Sequence, residues 1–184
     1  MGLEPREKRA LLAAAQRAIA EGLRGGRWLP ESAGVQGVLG GDGASFVTLK
    51  IKGRLRGCIG TLQPRRPLIV DVAANAHAAA FEDPRFEPLD AAEARELETH
   101  LSVLGPTLPL PVAGEADLLA KLRPGVDGLV LSLGRRRATF LPSVWEELSR
   151  PALFLAHLKL KAGLATDLWS DDFRFERYEV EEFP

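Results

Sequence analysis

The chain has 184 residues, 46% of them hydrophobic and 27% charged, with a formal net charge of −1. That length fits one domain, or one with two unequal lobes, and buries roughly 70% of the surface its unfolded form exposes. The near-neutral balance excludes a broad nucleic-acid footprint, which shows as a basic excess. Cys58 is the sole cysteine, so no internal disulfide forms and a reducing compartment is favoured. The start, MGLEPREKRA, is polar where a signal peptide needs an apolar core. No run of about 18 apolar residues offers a membrane span, so the cytoplasm is the expected location.

Residues 5–24 predict an amphipathic helix: Leu12, Ala15, Ile19 and Leu23 recur at helical spacing, and Gly25-Gly26 ends it. Residues 30–43 are a glycine-rich loop. Residues 45–51 (SFVTLKI) alternate apolar and polar, and a turn at Gly53-Arg54 leads to a second strand from Leu55, which together read as a hairpin. Pro67 opens a helix running to Ala80, with Ile69, Val72, Ala73, Ala76 and Ala80 as its apolar stripe. Asp83 to Pro88 is turn chemistry, because it carries two prolines. A short helix over 90–97 and a strand through Leu101 and Val103 follow. The proline-rich stretch 105–111 is the expected seam between lobes of a single 1–184 domain. Beyond it come a helix at 115–122, a hairpin (128–133 and 137–141), and helices at 142–148 and 151–164. The tail 173–183 is strand-like, and its apolar register switches between Phe175 and Tyr178, predicting a bulge or a strand end. Hairpins and helices intersperse without a βαβ rhythm, so the fold class is α+β.

The segment LRGCIGT (55–61) concentrates chemistry. Gly57 and Gly60 remove two Cβ atoms and permit close backbone approach to a strand or a ligand. Regular alternation would place Arg56 and Cys58 on one face, where a guanidinium favours the thiolate. The plain alternative is a buried cysteine acting as a small hydrophobe.

LRGCIGT resembles the signature of the AMMECR-domain family. The resemblance extends through ASFVTL upstream, FEDPRFEPL (81–89), SVLGP (102–106), GL (128–129), FLPSV (140–144), KAGL (161–164) and Trp169. It implies an α+β fold with a larger and a smaller lobe. Bacterial members often belong to the AmmeMemoRadiSam system, so it also implies a link to Memo-like and radical-SAM proteins. The family offers no established reaction to transfer.

Several other residues are candidates. Asp83 and Arg85 flank Pro84 and would serve as proton acceptor and anion clamp beside Cys58, or as a self-capped turn with a structural ion pair. Lys161 is a candidate ligand cation, although its place at a helix end is explained by the helix dipole. Of His77, His100 and His157, His77 is best placed to partner Cys58, and none has metal-ligand spacing. The acidic, aromatic tail reads as a solvated strand face. No P-loop, dinucleotide fingerprint or nucleophile elbow is present, and no metal or cofactor is expected. Two functions stay open: a binding module presenting the LRGCIG cleft (55–60), with Arg56, Gly57, Gly60, Thr61, Asp83, Arg85 and Lys161 as candidate contacts to an anionic ligand or partner protein; or an enzyme subunit with Cys58 as nucleophile, modifying a protein or small molecule.

Overall fold

The computed structural model describes residues 2–184, which divide into two units. The larger takes the chain as far as Leu104 and again over Glu181–Pro184, and the smaller is Gly105–Val180. In the larger unit, helix α1 (Pro5–Gly22) has proline at its first turn. The Glu7 carboxylate accepts the Glu4 N–H at 2.8 Å, satisfying an amide at the helix start. Leu11, Ala14, Ala15, Ala18 and Ile19 form its buried stripe. The expected Leu12 and Leu23 fall at its margin, half-buried and exposed respectively.

Strands β1 (Asp42–Ile51) and β2 (Arg54–Gly60) pair antiparallel, with Val47 opposite Ile59 and Thr48 opposite Cys58. The reversal falls at Lys52-Gly53, both with positive φ, which suits the right-handed twist of a tight hairpin. The short β3 (Arg66–Pro67) pairs with the start of β1 and leads into α2 (Leu68–Phe81). Strand β4 (Leu97–Leu104) pairs with the free side of β1, which becomes a central strand. The residues before it, expected as a helix from 90 to 97, form only a 3-10 turn at Glu93–Glu96, since Leu97 already belongs to the strand.

One face of this sheet is the core. Val47, Leu49 and Leu101 are fully buried, while Thr48, Lys50 and His100 alternate onto the other face and stay half-exposed. Helix α2 packs on β1 and β2, and α1 packs on α2. Ala73, Ala76 and Ala79 are at most 1% exposed, and their small side chains bring the helix close to the sheet. A Cβ on Gly57 would sit 2.1 Å from the Ala79 carbonyl oxygen. Val72, Ala73 and Ala76 carry the expected contact, whereas Ile69 is only half-buried.

The smaller unit holds β5 (Leu108–Pro109), α3 (Glu115–Lys121), β6 (Gly128–Leu133), β7 (Arg136–Phe140), α4 (Pro151–Lys161) and β8 (Arg174–Tyr178). Its strands order as β5-β8-β6-β7. The helix expected at 142–148 is a 3-10 turn, Pro142–Glu146. There Trp145 stacks on Phe154 with centroids 3.8 Å apart and donates its indole N–H to the Asp127 carbonyl at 2.7 Å. The tail is two strands: β8 stays in this sheet, and β9 (Val180–Phe183) joins the larger unit's sheet in the order β2-β1-β4-β9. The register switch is therefore a strand end. Four helices and two antiparallel sheets make an α+β fold. Among the described residues no helix is long and apolar enough to cross a membrane.

Candidate functional site

Strand β2 is an edge of its sheet, so at alternate positions its backbone groups point outward with no strand to receive them. At Cys58 a turn takes that place. Asp83 Oδ2 accepts the Cys58 N–H at 2.9 Å, and Arg85 Nη2 donates to the Cys58 carbonyl at 3.3 Å. The two side chains are themselves paired, with Arg85 Nη2 2.7 Å from Asp83 Oδ2 and Nε 2.9 Å from Oδ1. The Asp83-Pro84-Arg85 turn thus supplies one acceptor and one donor, as a neighbouring strand would. Asp83 is 4% exposed. The Arg85 guanidinium, with help from the Cys58 and Arg85 N–H groups, holds its carboxyl well below the usual carboxylate range despite burial. It is an occupied anion and not a free proton acceptor.

The Cys58 side chain points away from α2. Gly57 faces Ala79, so the next residue projects to the outer face of the sheet. There Cys58 is half-buried and its Sγ lies 3.4 Å from Thr48 Oγ1. Thr48 pairs with His100 on its other side, so Cys58, Thr48 and His100 form one row across three strands. Phe46 and Ser102 lie in the row on one side, Lys50 and Glu98 in the row on the other. A cavity of about 280 Å³ opens on this face, lined by Thr48, Lys50, His100, Ser102, Glu182 and Phe183 among others.

Arg56 is not where alternation puts it. Leu49 pairs with Gly57 but Lys50 with Leu55, so Arg56 is the extra residue of a bulge and the alternation resets there. It is 9% exposed. Its Nε and Nη2 donate to the two Glu93 carboxylate oxygens at 2.8 and 2.7 Å, and Nη2 also reaches the Glu87 carbonyl at 2.8 Å. The guanidinium is committed to Glu93, not to the thiol. Gly60 faces Phe46, where a Cβ would lie 2.3 Å from the ring. Thr61 donates to Asp71, at 2.9 and 2.8 Å from its two oxygens. Asp71, 1% exposed, also accepts from the Ser45 N–H and hydroxyl, Asn75 and Arg66. This buried network ties the end of β2 to β1 and α2. The sequence reading missed it, and a lone Asp and Asn in an alanine-rich helix were the available signal.

His77 sits on α2, on the helix side of the sheet, packed against the Phe81 ring at 5.0 Å; no dyad with Cys58 forms. His100 is the histidine that shares the thiol's face, a placement that depends on the long-range pairing of β1 with β4. Lys161 belongs to the smaller unit, where its Nζ donates to the Thr139 carbonyl at 3.0 Å. The buried lysine of that helix is Lys159, fully enclosed and bonded to Glu115 at 2.8 Å and the Thr166 carbonyl at 3.1 Å. Among the described residues no group of three or more His, Cys, Asp or Glu gathers as a metal site.

The two-unit α+β fold and the clamped LRGCIGT strand define a class of protein that comparison makes specific. Residues 12–183 match the AMMECR1 family model, and the chain belongs to that family. A protein of Methanothermobacter thermautotrophicus is 39% identical over 179 residues, covering 96% of this chain and 93% of its own. MK0488 of Methanopyrus kandleri is 35% identical, with 94% and 86% of the two chains covered. Among solved structures, the uncharacterized protein PH0010 of Pyrococcus horikoshii matches with a TM-score of 0.75 at 32% identity, over 94% of this chain and 88% of that one.

Proposed function

We propose that this AMMECR1-family protein is a cytoplasmic binding module that presents the LRGCIG strand (55–60), and the outer sheet face around Cys58, to a small anionic ligand. The observation that carries this reading is the division of labour at Cys58. Its N–H and carbonyl are both held by the Asp83–Arg85 pair, while its side chain stays half-buried with Thr48 as its hydrogen-bonding neighbour. A surface fixed in advance loses little freedom when it binds. No imidazole, carboxylate or ammonium hydrogen-bonds Sγ among the described residues, which favours recognition over nucleophilic catalysis. In this reading Gly57, Gly60, Thr61 and Asp83 hold the strand, and the half-exposed Arg85 guanidinium supplies cationic character at its edge.

The test is native mass spectrometry of wild type, Cys58→Ala and Arg85→Ala after incubation with a desalted small-molecule extract. A non-covalent adduct on wild type that weakens on both folded variants is expected. Equal retention by Cys58→Ala overturns the reading.

One observation favours the second reading, an enzyme subunit using Cys58 as nucleophile. His100 lies in the same row, two strand spacings or roughly 10 Å away, with Thr48 between. A substrate lying across Thr48 would meet both thiol and imidazole. A covalent adduct on Cys58 that His100→Ala abolishes would establish it. A pathway with Memo-like and radical-SAM proteins is supported by the family resemblance alone, and co-purification from cells tests it.

A further inference from the structure

The cavity on the outer face is chemically polarised. Lys50 lies at one end, on β1, and Glu182 at the other, on β9, with the β4 residues His100 and Ser102 between. Neither charge is neutralised by the fold. The carboxylates beside Lys50 are turned elsewhere: Glu96 pairs with Lys52 at 2.8 Å, and Glu98, opposite Lys50 across the strands, leans to within 3.9 Å of His100 Nε2. Lys50 makes no ion pair among the described residues. At the other end, Glu182 has one bond among them, from the Ser102 hydroxyl at a long 3.4 Å, whereas Glu181 next to it is fully used by Lys8 and the Leu3 N–H. An open site that keeps a cation and an anion apart and unpaired fits a ligand whose own charges are reversed end to end. The wall between is formed by Thr48, His100 and Ser102.

We infer that this cavity binds a small extended zwitterion, with a carboxylate received by Lys50 and an ammonium received by Glu182. Two strand spacings separate β1 from β9, so the Cα atoms of the two residues lie at least about 10 Å apart. The reach of the lysine side chain shortens the distance between the charges. A straight ω-amino acid therefore fits better than an α-amino acid, whose charges sit on one carbon. About 280 Å³ accommodates such a molecule with water to spare. The inference rests on the outer face being a ligand surface and goes beyond that reading: the cavity is lined by neither Cys58 nor Arg85, and its ligand is a zwitterion rather than an anion.

The experiment is a two-dimensional NMR titration of the full chain with 6-aminohexanoate, 4-aminobutyrate, glycine, hexanoate and hexylamine. The expected result is saturable shifts at the amides of Thr48, Lys50, His100 and Ser102 with 6-aminohexanoate or 4-aminobutyrate, each single-charge probe binding about tenfold weaker or worse. Lys50→Gln should weaken the ω-amino acid and hexanoate but leave hexylamine unchanged. Glu182→Gln should do the converse, with the amide spectrum showing both variants folded. Hexanoate binding as tightly as the ω-amino acids reduces the site to a plain anion site and overturns the inference, as does equal binding of hexylamine or glycine, or no shifts with any probe. A Cys58-dependent adduct in the extract experiment alongside silent titrations refutes this inference and spares the binding-module reading. Saturable ω-amino-acid shifts with no Cys58-dependent adduct do the reverse.

Discussion

The two sides of strand β2 are built to different standards. On the inner side the strand is held closely: Gly57 rests against the Ala79 backbone, and Thr61 closes onto the Asp71 network. Arg56 is buried in a bidentate pair with Glu93, although its Nη1 has no hydrogen-bond partner among the described residues. On the outer face, Cys58 touches Thr48 at 3.4 Å, and Lys50 and Glu182 hold charges the fold does not neutralise. The helix side spends its polar groups on holding the strand, and the outer side keeps its polar groups available. Substitutions that look alike in sequence should therefore have opposite consequences on the two sides.

The largest effect is expected at Gly57. Even Gly57→Ala places a Cβ 2.1 Å from a helix carbonyl that cannot rotate away, so α2 must lift off the sheet. The expected loss is about 3 kcal/mol or more, at the upper end of overpacking costs, read from chemical denaturation. A midpoint unchanged within error would mean that the close approach of α2 to β2 is wrong. Asp71→Ala comes next. It removes the acceptor shared by Ser45, Thr61 and Asn75, of which Asn75 keeps the Ser45 carbonyl at 3.0 Å, and the expected loss is about 2–4 kcal/mol. Arg66 is 35% exposed and can turn to water, which keeps the effect below that of Gly57→Ala.

Arg56→Ala sharpens the contrast between the faces. A thiolate partner would tune Cys58 reactivity, whereas a strand-holding residue changes stability. Glu93 is partly exposed, at 35%, and is solvated once its partner is gone, so about 1–3 kcal/mol should be lost. The alkylation rate of Cys58 in the folded protein should stay within about twofold. A slowing of tenfold or more at unchanged stability would restore the thiolate–guanidinium pairing.

Local patterns carried much of the fold. The alternation of SFVTLKI and the alanine stripe of α2 depend on neighbours in sequence and correspond to what forms. The hairpin was legible too, although its reversal, expected at Gly53-Arg54, falls one residue earlier at Lys52-Gly53. Contacts made late in the chain were not legible. The pairing of β4 with β1 brings His100 beside Thr48, and the return of β9 brings Glu182 to the cavity; both depend on the packing of distant segments. The bulge at Arg56 is a one-residue event that alternation cannot anticipate, and it alone moves Arg56 off the thiol's face. The two glycines of LRGCIGT were legible as positions of close approach, because the absence of a side chain says that something else is near. What they approach, a helix carbonyl in one case and a phenylalanine ring in the other, needed the tertiary structure.

The Asp83–Arg85 clamp joins the two faces, and its dependence on pH can be worked out. Its carboxyl is depressed below the ordinary value by the Arg85 hydrogen bond first, with the Cys58 and Arg85 N–H groups adding to it. A carboxylate depressed in the folded state contributes stability that is fully present above its unfolded pKa, about 4, and fades as the pH falls from there toward the folded value. The exchange protection of the Cys58 amide should be constant, after correction for intrinsic rates, from pH 7 to about 5, and decline below about 4. In Asp83→Asn this acid-dependent loss should be absent, and stability at neutral pH lower by about 1–2 kcal/mol.

The smallest effect on stability is expected at Cys58 itself. Its side chain is half-buried, it faces away from the helices, and its hydrogen-bonding neighbour is a threonine hydroxyl at a distance ordinary for sulfur. Cys58→Ala removes one atom from a surface that water already reaches, so no sealed cavity is left and the loss should stay below about 1 kcal/mol. The backbone at this position is held by Asp83 and Arg85 whatever the side chain, so the amide spectrum of the variant should change only around Thr48 and its row. By the same geometry the wild-type thiol should react with iodoacetamide in the absence of denaturant, and Thr48→Val should alter the rate without unfolding the strand. A thiol that labels only after denaturation, together with a loss of several kcal/mol on Cys58→Ala, would move Cys58 to the helix side of the comparison. It would also remove the side chain on which both the binding and the nucleophile readings depend.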